Sequence, residues 1–294
     1  MMSWVTFTLL AVFLWSLASI VDKYTISKYV KKPLVMLALY PFYSLIFALL
    51  IFFFHGITIP PSDVLILSLL AGILYFLMLF FYMKSLSFEE VSRVSSLFSL
   101  NLIFTLIFSM VFLGEVFSSE KYLGIFLVLL GSFLISTRKT TKIKISRALF
   151  FMTFASALGA VYCVMQKIIL NQIDYPSAFV LVRLGSILLT PILFFQFIHL
   201  NKIIKKTPNV FVYLSFSEIL NLFGVYLIVI AYSLGPVSLV SALSEIQPLV
   251  VLFMALLLGM FRPKILKEEL KSSIISLKII SIFMIVAGAV LITL

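Results

Sequence analysis

Long apolar runs divide this sequence at nearly even spacing, with short polar clusters between them. A helix needs about 20 mostly apolar residues to cross the hydrocarbon core of a bilayer. Ten runs meet that length, at 3–21, 33–54, 64–83, 94–113, 121–136, 148–166, 177–198, 210–233, 237–260 and 276–294. None shows the two-residue alternation that a closed membrane barrel requires. The pattern predicts an all-α integral membrane protein of ten transmembrane helices.

Composition agrees. Apolar residues make up 63% of the chain and charged residues 11%, against roughly 45–50% and about 25% in soluble domains. Lipid must therefore cover part of the apolar surface. The single cysteine, Cys163, sits inside an apolar run and reads as a small core residue. The start, MMSWVTFTLL, has no basic residue before its apolar run, so it reads as the first span and not as a cleaved leader.

Charge adds an orientation. Basic residues gather after the odd-numbered runs: Lys23, Lys28, Lys31 and Lys32; Lys84 and Arg93; Arg138 to Arg147; Lys202, Lys205 and Lys206; Arg262 to Lys271. The opposite side holds only Lys121 and Lys167. By the positive-inside rule both termini are expected outside. The net charge of +11 then reads as topology and contact with anionic membrane lipid, and it requires no nucleic acid.

The halves echo one another. Ser92, Ser95, Ser96 and Ser99 lie on one face of the fourth run, and Ser241, Ser244, Glu245 and Pro248 repeat that spacing in the ninth. Gly124 and Gly131 of the fifth run correspond to Ser281 and Gly288 of the tenth, with Lys121 matched by Lys278. Five spans per half is odd, so the second half must insert upside down. The expectation is two inverted-topology five-helix repeats, residues 1–140 and 141–294, with the substrate site near mid-membrane between them.

The segment SLFSLNLIFTLIFSMVFLGEVFSSEKYLGIFLVLLGSFLIS, with Gly114-Glu115 before a glycine-spaced helix, resembles the EamA-type repeat of the drug/metabolite transporter superfamily. WSLASIVDK in the first run is similar to that family's tryptophan-to-lysine pattern. Both copies depart from the pattern: in the second Gly259 is followed by Met260, and in the first the proline usual early in the fourth span is replaced by Leu100-Asn101-Leu102. The resemblance implies a ten-helix carrier that alternates access and often exports amino acids or other small metabolites, here from a prokaryotic plasma (inner) membrane.

Charges inside the spans mark candidate chemistry, because each costs about 2.5–3.5 kcal/mol at the bilayer centre on insertion scales. Three lie deep enough to pay it: Arg183, Glu218 and Glu245. At roughly 1.5 Å of rise per residue, Arg183 lies about 9 Å below the outer boundary, Glu245 about 13 Å and Glu218 about 18 Å. Asn221 matches the depth of Glu245. Arg183 and Ser186 share one stripe, as do Ser217, Glu218 and Asn221. Pro248 lacks an N–H and is expected to kink its helix and free the Ser244 carbonyl beside Glu245. Glu245, Glu218, Arg183, Asn221, Ser244 and Ser241 form the candidate site, with Ser96 and Ser99 from the fourth run. An Arg183–Glu245 or Arg183–Glu218 ion pair that only packs the second half is the structural alternative. Ser92 and Ser95 read as close-packing residues, Glu115 as scaffold, and Tyr82, Tyr162, Tyr226 and Tyr232 as interfacial.

The leading function is a secondary carrier of small organic metabolites, amino acids or related zwitterions first, with a proton on Glu245 or Glu218 as a candidate coupling ion. No cofactor and no metal site is expected. A nucleotide-sugar or sugar-phosphate carrier would want several cavity cations, and only Arg183 offers one. An intramembrane enzyme fits poorly, since neither His55 nor His199 is deep, and no GxxxxGK[ST] loop supports a self-contained pump.

Overall fold

The first apolar run continues as helix beyond its apolar stretch. Helix α1 spans Trp4–Lys28 and so carries Asp22 and Lys23 within its last turns. The computed structural model describes residues 3–30, 32–88, 97–136, 147–261 and 272–293. A 3-10 turn, Pro33–Leu39, leads into α2 (Tyr40–His55), followed by α3 (Ser62–Ser85), α4 (Leu100–Leu113) and α5 (Ser119–Ser136). The second half contains α6 (Arg147–Leu170), α7 (Tyr175–Ile187), α8 (Phe194–Lys206), α9 (Asn209–Leu234), α10 (Val237–Ser244), α11 (Gln247–Phe261) and α12 (Ser272–Thr293). No strand occurs among the described residues. Six helical stretches there are long and apolar enough to cross a membrane, and a bent pair makes a seventh. Ser92, Ser95, Ser96 and most of the basic loops lie outside the described residues.

The bent pair corrects the seventh run, which the sequence presents as one span. Helix α7 stops at Ile187 and α8 departs at 54°. Pro191 sits in the short 3-10 turn Thr190–Leu193 between them. An uninterrupted helix would need the N–H of residue 191 for the Ile187 carbonyl, and proline has none. The Thr190 hydroxyl bonds that carbonyl instead, at 2.6 Å. At its other end α7 is capped by Asp174, whose carboxylate accepts from the Ser177 N–H at 3.1 Å. Burial opposes the charge of Asp174, but hydrogen bonds from Ser177 and Thr58 outweigh it and hold the carboxyl below the ordinary range.

Helix pairing is set by small residues. Helix α5 packs along α12, α1 along α9, and α3 against both α6 and α7, while α4 meets α6, α2 meets α7 and α1 meets α11. A Cβ on Gly124 would lie 2.8 Å from the Gly288 carbonyl, and one on Gly131 would lie 2.8 Å from the Ser281 carbonyl. Backbones this close gain van der Waals contact, which lipid does not offer between large side chains. Between α3 and α7 the approach is tighter, with Gly72 and Gly185 each against the other helix's backbone. Residues Pro176–Arg183 of α7 are all buried. Phe53, Phe54, Phe195 and Phe283 stand exposed on the outside, where hydrocarbon can cover them.

Candidate functional site

Four polar constellations stand out among the described residues, and the first is the break between α10 and α11. Glu245 terminates α10 with φ −66° and ψ −3°, and Pro248 is the second residue of α11, where a missing N–H sacrifices no helix bond. The backbone tightens here, the Glu245 N–H reaching Ala242 O and the Ile246 N–H reaching Leu243 O, each at 3.2 Å. The Glu245 carboxylate accepts from Ser99 Oγ at 2.8 Å and Ser132 Oγ at 3.1 Å. Gln247 Nε2 donates to Ser19 Oγ at 3.1 Å. Residues of α1, of α5 and of the start of α4 thus fasten the break to the first half of the chain.

The expected stripe Ser241–Ser244–Glu245–Pro248 does not act as a unit. Ser244 Oγ bonds back to Val240 O at 2.8 Å, satisfying itself within its own helix. Ser241 turns to Tyr232 Oη at 3.3 Å, and Tyr232 donates to Cys163 Sγ at 3.3 Å. Tyr162 and Tyr232, taken from the sequence as interfacial, are both buried. Ser96 falls outside the described residues.

A second constellation joins α1 to α9. Ser217 Oγ donates to Asp22 Oδ1 at 2.5 Å, Asn221 Nδ2 approaches Ser217 Oγ at 3.5 Å, and Trp15 Nε1 donates to Asn221 O at 3.4 Å. Glu218, beside Ser217, is half-buried, and its carboxylate has no hydrogen-bond partner among the described residues. Asp22 is absent from the candidates drawn from sequence, because the first apolar run ends at residue 21. Its seven-residue spacing from Trp15, which puts both on one face of α1, is the signal that could have found it.

Arg183 forms the third. It is 1% exposed and donates from Nη1 to Tyr40 Oη at 3.1 Å. Its guanidinium carbon lies 4.2 Å from the centre of the Tyr75 ring and 5.1 Å from that of Phe179. Among the described residues Nε and Nη2 have no partner, nor do Tyr162 Oη and both amide atoms of Gln166. Among the described residues neither expected ion pair, to Glu245 or to Glu218, is made. A buried donor left unpaired costs about 1–3 kcal/mol, more on a charged group, and such groups normally find partners.

The fourth lies where α4 ends. Gly114 takes a left-handed turn at φ 66°, turning Glu115 towards the N-terminus of α10. Its carboxylate accepts from the Val237 N–H at 2.8 Å, the Ser238 N–H at 3.0 Å and the Ser238 hydroxyl. Lys167 Nζ holds the preceding turn through Tyr232 O at 2.6 Å and Gly235 O at 3.0 Å. A cavity of about 390 Å³ opens beside Glu115, Lys167 and Asn171. A carboxylate on the first N–H groups of a helix is a favourable cap. Among the described residues no three His, Cys, Asp or Glu side chains group closely enough to hold a metal ion.

The Gly114-Glu115 turn and the helices flanking it fall within a segment with a known counterpart. Residues 2–137 match the model of the EamA-like transporter family. The EamA match agrees with the resemblance to the drug/metabolite transporter superfamily. It spans just under half the chain, and it includes Asp22, Ser99, Glu115 and Ser132. No curated protein matches significantly. One solved crystal structure of a protein aligns with a TM-score of 0.73 at 17% identity, covering 98% of this chain and 95% of that one. At that identity the likeness carries the fold alone, and it carries it over both halves.

Proposed function

We propose that the chain is a secondary carrier of small organic metabolites, with amino acids or related zwitterions as its first substrate class, working by alternating access. The observation that carries this reading is charge of both signs in the spans with no ion-pair partner among the described residues: the Arg183 guanidinium on α7, the Glu218 carboxylate on α9 and the Glu245 carboxylate at the α10–α11 break. Holding unpaired charges in a membrane is expensive, and a zwitterion brings a counter-charge for each end. Glu218, with no hydrogen bond to hold its charge, is the group we assign to proton coupling. Net export is the expected direction.

The architecture we infer is ten spans in two inverted repeats, 1–140 and 141–294, with both termini outside a prokaryotic plasma membrane. Helix pairings support it, because exchanging the halves maps α1–α9 onto α6–α3, and α4–α6 onto α11–α1. The glycine contacts follow the same rule: Gly124 meets Gly288 and Gly131 meets Ser281, the reciprocal pair that a two-fold axis generates. A broken helix at the junction of such repeats is a common seat for substrate.

Counterflow of a labelled amino-acid pool in proteoliposomes tests the reading. Wild-type protein accumulates label, and Glu245→Gln, which keeps the size of the group and loses its charge, loses most of that accumulation. A well-folded wild type that exchanges no amino acid removes the substrate class. Full counterflow in Glu245→Gln removes Glu245 from the mechanism.

A further inference from the structure

A guanidinium carries five N–H donors in one plane, and its Nε–H and one Nη2–H run parallel along a single edge, which a carboxylate meets with two hydrogen bonds at once. In this protein the other side of the group is already committed. Arg183 Nη1 donates to Tyr40 Oη at 3.1 Å, Tyr40 donates to Ser186 Oγ at 2.7 Å, and Ser186 donates to the Arg183 carbonyl at 2.7 Å. That closed ring of bonds fixes the guanidinium from behind. The flanks are fixed as well, by the rings of Tyr75 and Phe179. What remains is the Nε–Nη2 edge, buried and unpartnered.

Other unsatisfied groups accompany it. The Tyr162 hydroxyl is buried with no partner, and its ring centre lies 4.9 Å from that of Tyr75. One turn further along α6, neither amide atom of Gln166 is paired. Glu218 lies within electrostatic reach of Arg183 and does not touch it. An arginine in a membrane interior, immobilised on three sides with its bidentate edge left without a partner, has the form of an anion receptor. Among the described residues no carboxylate meets it.

We propose that the Nε–Nη2 edge of Arg183 is the seat of the substrate's carboxylate, walled by Tyr75 and Phe179, with Tyr162 and Gln166 as the next hydrogen-bonding groups. The assignment rests on the carrier reading and narrows it, since the substrate must then present a monoanionic carboxylate. A phosphomonoester shares the oxygen geometry but carries up to two negative charges, and Arg183 is the one cation assigned to this seat.

The test uses the full-length protein purified in detergent and does not depend on transport. Its thermal midpoint is followed against sodium propionate, exchanged for chloride at constant ionic strength, with propionamide and methyl phosphate as comparison probes. Propionate raises the midpoint saturably and propionamide does not. Arg183→Lys keeps the charge but loses the two-pronged edge, and it weakens the apparent propionate affinity about 10- to 100-fold, the loss of one or two charge-assisted bonds. Should that variant not fold, Tyr162→Phe removes a single hydroxyl and weakens propionate several-fold. Equal stabilisation by propionamide, or an unchanged response in the variant that folds, overturns the seat. A preference for methyl phosphate overturns the carboxylate assignment. Propionate binding without amino-acid counterflow leaves the seat standing and sinks the amino-acid reading. Counterflow without any propionate effect sinks the seat alone.

Discussion

Asp22 shows how much one hydroxyl can matter inside a membrane. Its half-buried carboxylate accepts from Ser217 across the α1–α9 interface. Ser217→Ala therefore costs about 1.5–3 kcal/mol, the usual range for a hydrogen bond to a charged group. The variant should melt below the wild type in a detergent thermal-unfolding assay, and an unchanged midpoint would show the bond to be dispensable. Glu245, Glu218 and Arg183 were legible in the sequence because each is a charge within an apolar run. Asp22 was not, since it stands beside Lys23 where hydrophobicity fades, and only the helix continuing to Lys28 places it against Ser217 of α9. Tyr40, Tyr75 and Tyr162 were hidden for another reason: tyrosine suits both an interface and a core, and only the fold decides which. The divided roles of Ser241 and Ser244 were equally beyond reach, because periodicity assigns a face but cannot say that a helix stops at Glu245.

At the scale of elements, the apolar runs announced their helices well, and the prolines announced the breaks unevenly. Pro248 stood out beside a charge. Pro191 did not, though it ends α7 and turns α8 away by 54°. Its effect is legible only from the Ile187 carbonyl that it cannot serve. The helix contacts are less forgiving than the breaks. A methyl group on Gly72 would fall 2.1 Å from Val182 O and 2.5 Å from Ser186 N, both backbone atoms that cannot rotate aside. Gly72→Ala must push α3 and α7 apart, at a cost of about 1–3 kcal/mol or more. It should lower the thermal midpoint and, because Arg183 rides on α7, also weaken substrate exchange in proteoliposomes. A fully active, equally stable Gly72→Ala protein would mean the two helices are not seated on each other as described.

For the whole molecule, the proposed inverted repeat carries an orientation that can be measured directly. The only cysteine, Cys163, is buried, so Cys163→Ser gives a background free of thiols. On that background Thr58→Cys, in the turn between α2 and α3, should react with a membrane-impermeant maleimide added to intact cells. Thr207→Cys, between α8 and α9, should react only after the membrane is opened. The reverse pattern would turn the topology over and place the basic loops outside. The α5–α12 contact, finally, has a bearing on how the protein is made. Its two glycine faces lie in helices separated by more than a hundred residues of chain, and a ribosome adding about 5–20 residues per second needs roughly 10–30 s to deliver the second after the first. Throughout that interval the newborn α5 presents Gly124 and Gly131 to lipid, or to whatever the insertion machinery places there. Biogenesis thus has a built-in waiting period, and any chain released before Ser272 would enter the membrane with this seam still open.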